Sequence, residues 1–229
     1  MTIDLNCDMG ELEDAAHEAA LMEQIRSANI ACGGHAGDDA TMERTARLAL
    51  ERGVRIGAHP GYLDPANFGR VAMPMAPEAL ADVVYAQVLR LDRIVERLGG
   101  EIVHVKPHGA LYNVAVHDEE VACAIAVGVL RWKPQVEMVG MAGSPMLEVW
   151  RTMGLATVGE GFADRQYEAD GTLRSRKLPG ALITDPQAAA AQAVRLARGG
   201  SVRTICVHGD TPGAVEILKA CREALLYEG

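Results

Sequence analysis

The side chains of this sequence that can do acid–base or binding chemistry fall in short segments after β-branched, strand-like runs. In α/β folds, residues beyond the carboxyl ends of parallel strands converge on one rim. The sequence therefore predicts that segments far apart along the chain share one pocket. The residues concerned are Asn6, Asp8 and Glu11; Asn29, His35 and Asp38; His59; Lys106, His108 and Asn113; Glu160, Asp164 and Arg165; and His208 and Asp210.

Lys106 stands out because the chain has only 4 lysines against 18 arginines. Successive side chains of a strand face opposite sides, so His104, Lys106 and His108 share one face and Val103 and Val105 take the other. If the apolar faces pack on helices, the polar faces point into a common interior. A closed or nearly closed barrel explains this pattern better than an open doubly wound sheet, whose strands are nearly continuously apolar.

Strand-like and helix-like runs alternate along the chain, which favours a mainly parallel sheet with right-handed crossovers. We predict strands at 2–6, 28–31, 54–58, 102–106, 136–141, 156–159 and 204–207, and helices at 12–26, 39–52, 77–98, 118–131, 144–153, 186–198 and 212–226. No linker-like stretch divides the chain, so residues 1–229 are expected to form a single β/α domain. Two long connections, 59–76 and 160–180, are expected to be functional.

Composition and missing motifs exclude several classes of protein. A formal charge of −9 and nine aromatic residues argue against nucleic-acid binding. The first eleven residues include acidic side chains and lack the basic and apolar regions of a signal peptide, so export is not expected. Uncharged apolar stretches of about 18 residues are absent, so membrane insertion is not expected either. Five widely spaced cysteines without a CxxC pair suggest reduced thiols in a cytoplasm. Neither a phosphate-binding loop, a dinucleotide fingerprint, a GxSxG elbow nor HExxH occurs.

Several polar residues have simpler structural interpretations. His17 and His117 are expected to be structural, and His104 to be a satisfied interior histidine. Asp38 or Asp39 is expected to cap a helix, so Asp39 is left out of the site. Thr211 before Pro212 is expected to cap the last helix, which leaves Asp210 free for chemistry.

A metal site remains possible but has no motif behind it. Barrel sites draw ligands from separate strands, and the side chains of Asp8, His35, His59 and His208 could together hold a divalent ion. Because their spacing gives no specific support, we assign no residue to a metal.

Seven segments together resemble the LamB/YcsF family, in its order and spacing, from residue 3 to about 213. They are LNCDMGE, ANIACGGHAGD, IGAHPGY, FGR, VKPHGALYN, EGFADRQY-x-x-DG-x-L-x-x-R and VHGD-x-P. The resemblance implies a distorted seven-stranded β/α barrel of the glycoside hydrolase/deacetylase type. It also implies ATP-dependent ring opening of 5-oxo-L-proline (pyroglutamate) to L-glutamate, in a complex with two other 5-oxoprolinase subunits, of the B and C type. The missing phosphate-binding loop is compatible with ATP handled partly or wholly by those partners.

This activity suggests roles for the polar rim. Hydrolysis of a lactam places charge on the carbonyl oxygen, which ATP could activate by phosphorylation, and it needs a base for water and an acid for the ring nitrogen. Lys106 is predicted to stabilise the oxyanion or phosphate, and Arg165 to clamp the substrate carboxylate. Asp8 or Glu160 is predicted to activate water, with His59 or His108 as proton partner.

The remaining candidates complete the predicted site. His208 and Asp210 are predicted to form an orienting pair, and Asp164 joins the catalytic set. Asn6, His35 and Asn113 join Arg165 as substrate-binding residues. Two alternatives stay open: a metal-dependent amide hydrolase or carbohydrate deacetylase acting without ATP, and a subunit that only binds a ligand.

Overall fold

Seven parallel strands close into a barrel in the computed structural model, which describes residues 3–226. Each strand pairs with the next along the chain, and the last returns to the first, where Asp4 lies beside Thr204. The predicted seven-stranded, mainly parallel β/α barrel is therefore confirmed, and all of its strand pairs are parallel. The strands are β1 Asp4–Met9, β2 Ser27–Ala31, β3 Arg55–His59, β4 Ile102–Val105, β5 Glu137–Met141, β6 Ala156–Phe162 and β7 Thr204–Cys206.

Helices connect the strands and surround the barrel, and several begin at an aspartate cap. The carboxylates of Asp38, Asp118 and Asp185 each accept a backbone N–H of the first turn. The helices are α1 Ala15–Met22, α2 Asp39–Arg52, α3 Pro77–Arg97, α4 Gly109–Ala115, α5 Glu119–Trp132, α6 Pro145–Thr152, α7 Pro186–Arg198 and α8 Ala214–Leu226, with a short 3₁₀ turn at Pro65–Asn67.

The main apolar core lies between the strands and the helices, and the barrel interior is polar. Along β1, Leu5, Cys7 and Met9 are buried in the apolar cluster. The alternate residues Asn6 and Asp8 are also buried, but they hydrogen-bond to polar side chains of other strands. The period-two pattern of the sequence therefore separates a helix-facing apolar layer from an interior polar layer.

Three strands extend beyond their predicted carboxyl ends, and this changes where site residues sit. β1 continues to Met9, β3 to His59 and β6 to Phe162, so Asp8, His59 and Glu160 lie within strands instead of after them. Pairing with neighbouring strands continues that far: Asp8 lies beside Asn29, His59 beside Ala31, and Glu160 beside Thr204.

Other element bounds also differ from the predicted ones. α1 begins later than predicted because the Asp14 carboxylate accepts the N–H groups of Ala16 and His17. α4, which was not predicted, follows β4 directly. Thr2, where the first strand was predicted to begin, lies outside the described residues. Within residues 3–226, no helix is both long enough and apolar enough to cross a membrane.

Candidate active site

A cavity of about 630 Å³ opens at the carboxyl ends of the strands, where barrel active sites are found. Most predicted site residues line it, and Asn6, His35, Glu160 and Asp164 lie in the layer behind. The long connection after β6 also contributes to its wall through Leu173 and Arg176. The lining residues that were predicted are Asp8, His59, Lys106, His108, Asn113, Arg165, His208 and Asp210.

Lys106 forms the floor of this cavity between two carboxylates. Its Nζ lies 3.0 Å from Asp8 Oδ1 and 2.9 Å from Glu160 Oε1, and its side chain is 3% exposed. Cys206 Sγ at 3.2 Å and Asn6 Oδ1 at 3.4 Å are weaker acceptors of the same ammonium. Burial alone would lower the pKa of Lys106, but the neighbouring Asp8, Cys206 and Glu160 raise it well above its usual range. Lys106 is therefore an ammonium at the pH of ordinary assays.

The Asp8 carboxylate is ionised beside this ammonium. Burial opposes its ionisation, but His59 and Lys106 hold the pKa of Asp8 well below its ordinary value. Asp8 Oδ1 also accepts a hydrogen bond from Asn29 Nδ2 at 2.8 Å, whereas Oδ2 faces His59 Nε2 at 3.4 Å. Lys106 and Asn29 thus hold one oxygen of Asp8 in place, and the other oxygen faces the imidazole of His59.

Two asparagines beneath this layer orient it. Asn6 Nδ2 donates to Glu160 Oε1 at 3.1 Å and to Thr204 Oγ1 at 2.7 Å, and Asn29 Nδ2 donates to Asn6 Oδ1 at 2.8 Å. His104 Nε2 contacts Asn29 Oδ1 at 2.8 Å, and burial lowers the pKa of His104 to about 3. His104 is therefore a neutral interior histidine, as expected, and Asn6 supports the floor from below.

Glu11 and three histidines form a second cluster on the wall of the cavity. Glu11 Oε1 lies 2.9 Å from His35 Nε2 and 3.3 Å from His108 Nδ1, and His59 Nε2 lies 2.9 Å from His108 Nδ1. The donor atoms of all four residues lie within 4.8 Å of one another, so they could hold a metal ion. Glu11 was noted in the sequence but not assigned to the site.

The possible metal ligands are therefore not the four suggested by the sequence. Asp8 and His208 belong to a separate group with Cys206, whereas His35 and His59 belong to the group around Glu11. The division has a physical reason. His208 turns to the opposite wall, where Asp164 binds its ring, and Asp8 is already paired with Lys106.

The predicted pairing of His208 with Asp210 is wrong. His208 Nδ1 lies 3.0 Å from Asp164 Oδ2, and the same carboxylate accepts the backbone N–H of His208 and the Thr211 hydroxyl. The chain turns at Gly209 and Asp210, so the two side chains diverge. Thr211 consequently binds Asp164 instead of capping the last helix, which begins at Ala214.

Burial by itself would raise the pKa of Asp164. However, His208 and the hydrogen bonds from His208 and Thr211 lower the pKa of Asp164 below its ordinary value. Asp164 is therefore a carboxylate that fixes His208 in one orientation. Asp164 follows β6 and His208 follows β7, so the two partners are close in space although they are far apart in the sequence.

Three arginines surround the mouth of the cavity near Asp210. Arg70 and Arg176 both donate to the Asp210 carboxylate. Arg165 Nη2 donates to Arg174 O at 2.7 Å, and its buried Nε has no hydrogen-bond partner within residues 3–226. Burial and the neighbouring Arg176 lower the pKa of Arg165 to about 10, which leaves it charged at neutral pH. This wall therefore presents positive charge to an anionic ligand.

Sequence reasoning also missed Arg70, Arg176 and Tyr112 as residues of the cavity wall. All three lie in segments that carried the family resemblance, namely FGR, the residues after DRQY, and VKPHGALYN. The Tyr112 hydroxyl and Glu160 Oε2 are buried and lack a hydrogen-bond partner in the described part of the chain. Burial and the Glu160 carboxylate raise the pKa of Tyr112 well above its usual range.

Comparisons with known proteins agree with this architecture. The model of the LamB/YcsF family matches residues 3–229. The chain is 46% identical to the A-type 5-oxoprolinase subunit of Chloroflexus aggregans and 44% identical to that of Chloroflexus aurantiacus, covering 100% of the chain and 97% and 96% of those proteins. The crystal structure of a lactam utilization protein from Thermus thermophilus superposes with a TM-score of 0.91 at 39% identity, covering 100% of the chain and 98% of that structure.

A more distant likeness concerns the fold alone. The catalytic domain of a peptidoglycan N-acetylglucosamine deacetylase from Eubacterium rectale gives a TM-score of 0.55 at 9% identity, covering 99% of the chain and 84% of that domain. The barrel is thus of the deacetylase type, as predicted.

Proposed function

The chain belongs to the LamB/YcsF family, and from this membership we propose that it acts as the A-type subunit of a 5-oxoprolinase. In this reaction water adds to the carbonyl carbon of 5-oxo-L-proline, the amide C–N bond breaks, and the ring nitrogen takes a proton to give L-glutamate. The observation that carries the proposal is the full-length match to proteins of that name, at up to 46% identity among those compared. The buried ammonium of Lys106, held between two carboxylates, supplies the positive charge that such a reaction needs at the carbonyl oxygen.

We assign the stabilisation of the carbonyl oxygen to Lys106. Charge develops on that oxygen as water attacks, and a preformed ammonium in a water-poor site stabilises it strongly. Two of the Lys106 protons are bound by Asp8 and Glu160, and the third has only weaker contacts, with Cys206 Sγ at 3.2 Å and Asn6 Oδ1 at 3.4 Å. A substrate oxygen that gains charge would replace the Cys206 sulfur without disturbing either ion pair.

We assign the activation of water to Asp8. Asp8 lines the cavity, whereas Glu160 lies behind it. Its Oδ1 is held by Lys106 and Asn29, so Oδ2 is the oxygen that can accept a proton from water. Glu160 then serves to fix the position of Lys106.

We assign the donation of a proton to the ring nitrogen to His208. The contact of its Nδ1 with Asp164 leaves Nε2 on the cavity side, in the arrangement by which a carboxylate sets the tautomer of a catalytic histidine. His59 and His108 are less suited, because each binds a backbone carbonyl through one nitrogen and turns the other toward Glu11.

The substrate carboxylate is assigned to Arg165, with Arg176 beside it. A planar guanidinium binds a carboxylate through two parallel hydrogen bonds, which a lysine does not provide. Arg165 lines the cavity, its buried Nε has no hydrogen-bond partner within residues 3–226, and it needs no change of charge to bind a carboxylate. Asn113, exposed on α4 at the rim, is a further candidate contact for the substrate.

ATP and the partner subunits complete the proposal. Ring opening of the five-membered lactam is coupled to the hydrolysis of ATP by a second water molecule to ADP and inorganic phosphate, and ATP is handled partly or wholly by two partners of the B and C type. The sequence supports this division because it lacks a phosphate-binding loop motif. We also place the protein in the cytoplasm, since all five cysteines are free thiols.

The test is the release of glutamate from 5-oxoproline, measured for this chain alone, for this chain with its two partner subunits, and for the full mixture without ATP. We expect glutamate only from the full mixture with ATP. Glutamate from the chain alone without ATP would instead favour an amide hydrolase that acts by itself. No glutamate from a complete and folded complex would refute the proposal.

A further inference from the structure

The cluster of Glu11, His35, His59 and His108 presents electron pairs to one small volume. Two of its histidines have fixed tautomers. His59 Nδ1 lies 2.7 Å from the backbone oxygen of Lys106, and His108 Nε2 lies 2.9 Å from that of Phe68. A carbonyl oxygen only accepts hydrogen bonds, so both of these nitrogens carry the hydrogen. When the rings are neutral, His59 Nε2 and His108 Nδ1 therefore carry no hydrogen, and each presents a lone pair.

These two lone pairs face each other. His59 Nε2 and His108 Nδ1 are 2.9 Å apart, and Glu11 Oε1 lies 3.8 Å from the first and 3.3 Å from the second. Two ring acceptors and a carboxylate at such distances repel one another unless a positive charge lies between them. A cation at this point, either a metal ion or a shared proton, removes this repulsion, and the donors that surround the point favour the metal ion.

His35 contributes a further donor to the same volume. It is 1% exposed, its Nε2 lies 2.9 Å from Glu11 Oε1, and its Nδ1 has no hydrogen-bond partner among the described residues. Its ring stacks on that of His108, with centroids 3.5 Å apart and planes 5° from parallel.

The spacing of the donors fits a tetrahedral ion. Metal–ligand bonds of roughly 2.0–2.1 Å in tetrahedral geometry place the ligand atoms roughly 3.3 Å apart. Four of the six separations between the donor atoms range from 2.9 to 3.8 Å, on either side of that value, and all six are within 4.8 Å. Ligating histidines almost always donate their other ring N–H to a carbonyl or carboxylate, as His59 and His108 do.

The neighbouring group of Asp8, Cys206 and His208 offers no such place. The ammonium of Lys106 already lies 3.0 Å from Asp8 Oδ1 and 3.2 Å from Cys206 Sγ. His208 Nδ1 is bound by Asp164. A second cation there would meet a fixed positive charge, so the two groups differ in what they can bind.

We propose that Glu11, His35, His59 and His108 bind one divalent transition-metal ion, for which zinc is the best match to three imidazoles and a carboxylate. The proposal goes beyond the proposed function and stands without it, because it depends only on the donor atoms and their tautomers. When bound, the ion would add a Lewis acid to the cavity wall.

The test measures metal binding directly, on the full chain without a histidine tag. Metal content by mass spectrometry should approach one ion per chain after growth with zinc. The metal-free protein should take up zinc with one-site calorimetry, and Co²⁺ should give the visible absorption bands of a tetrahedral site. No uptake of zinc and no cobalt spectrum by folded wild-type protein would overturn the proposal and leave a shared proton as the occupant.

Variants locate the ion. Glu11→Gln, which keeps the side-chain shape, and His59→Gln should each weaken zinc binding by more than about 100-fold, beyond the loss usual for residues that only orient a ligand. His117→Gln at the cavity rim and His208→Gln in the other group are matched controls that should bind as the wild type does. If His208→Gln lost zinc binding and Glu11→Gln kept it, the ion would lie in the group of Asp8, Cys206 and His208, and the proposal would be refuted.

Discussion

The ammonium of Lys106 lies 3.0 Å from the carboxylate of Asp8, above a layer of buried amide and hydroxyl groups that includes Asn6 and Thr204. Both side chains are at most 5% exposed. A buried ion pair is weak evidence for stability, because dehydration of both charges offsets their attraction. In the proposed function this pair serves the reaction, and the fold depends on its remaining intact because each charge is buried.

Lys106→Met should therefore destabilise the fold as well as the site. It leaves the carboxylates of Asp8 and Glu160 buried without a counter-charge, and breaking a buried pair in this way costs about 3–5 kcal/mol. Urea unfolding followed by circular dichroism measures the change. Lys219→Met, on the exposed face of α8, is the matched control and should unfold like the wild type. Equal stability of the two variants would mean that Asp8 and Glu160 are not charged in the native state.

Arg165→Lys should raise the KM for 5-oxoproline by about 10- to 100-fold with little change in kcat, because the lysine keeps the charge but loses the two-pronged contact. Steady-state kinetics of the complete complex measure both constants. Arg47→Lys, in an exposed pair on α2, is the control for the change of residue type. A fall in kcat with an unchanged KM would assign Arg165 to the chemical step instead of to substrate binding.

Asp164→Asn should show a stability difference that depends on pH. The pKa of Asp164 is lower in the folded protein than in the unfolded chain, so its ionised form stabilises the fold above the unfolded pKa, and this contribution is lost as the pH falls through the folded pKa. The difference in the free energy of unfolding between wild type and variant should be largest near neutral pH and shrink below a pH of about 4. A difference that stays constant with pH would rule out a charged Asp164 in the native state.

Gly57→Ala should destabilise the barrel by about 1–3 kcal/mol through overpacking. A Cβ at this position of β3 would overlap the imidazole of His104, which lies between Gly57 and Asn29. Thermal unfolding of Gly57→Ala, His104→Ala and the double variant measures the coupling between the two sites. If the effects simply add, the imidazole is not what limits the space at Gly57.

The barrel could be predicted from local patterns, because strands such as β1 and β4 carry a period-two alternation and several helices begin at a recognisable cap. The same alternation placed Lys106 on the interior face. The pairing of strands across the closed sheet lies outside local patterns, which is why Asp8 and Glu160 turned out to lie within strands.

The details of the site depend on loops that return from elsewhere in the chain. The tautomer of His108 depends on the carbonyl of Phe68, and the partner of His208 depends on a turn at Gly209. No local pattern in the sequence encodes either contact. The residue types of the site were therefore predictable, whereas most of their pairings needed the three-dimensional structure.

The most direct measurement is the rate of glutamate formation from 5-oxoproline and ATP by the complex of this chain with its two partner subunits, compared for wild type, Lys106→Met and Lys219→Met. Each complex is first shown to be assembled and folded. We predict that the wild type and Lys219→Met release glutamate at the same rate and that Lys106→Met loses at least about 100-fold, as expected when a group that stabilises the oxyanion is removed. Normal turnover by Lys106→Met in an assembled complex would contradict the account.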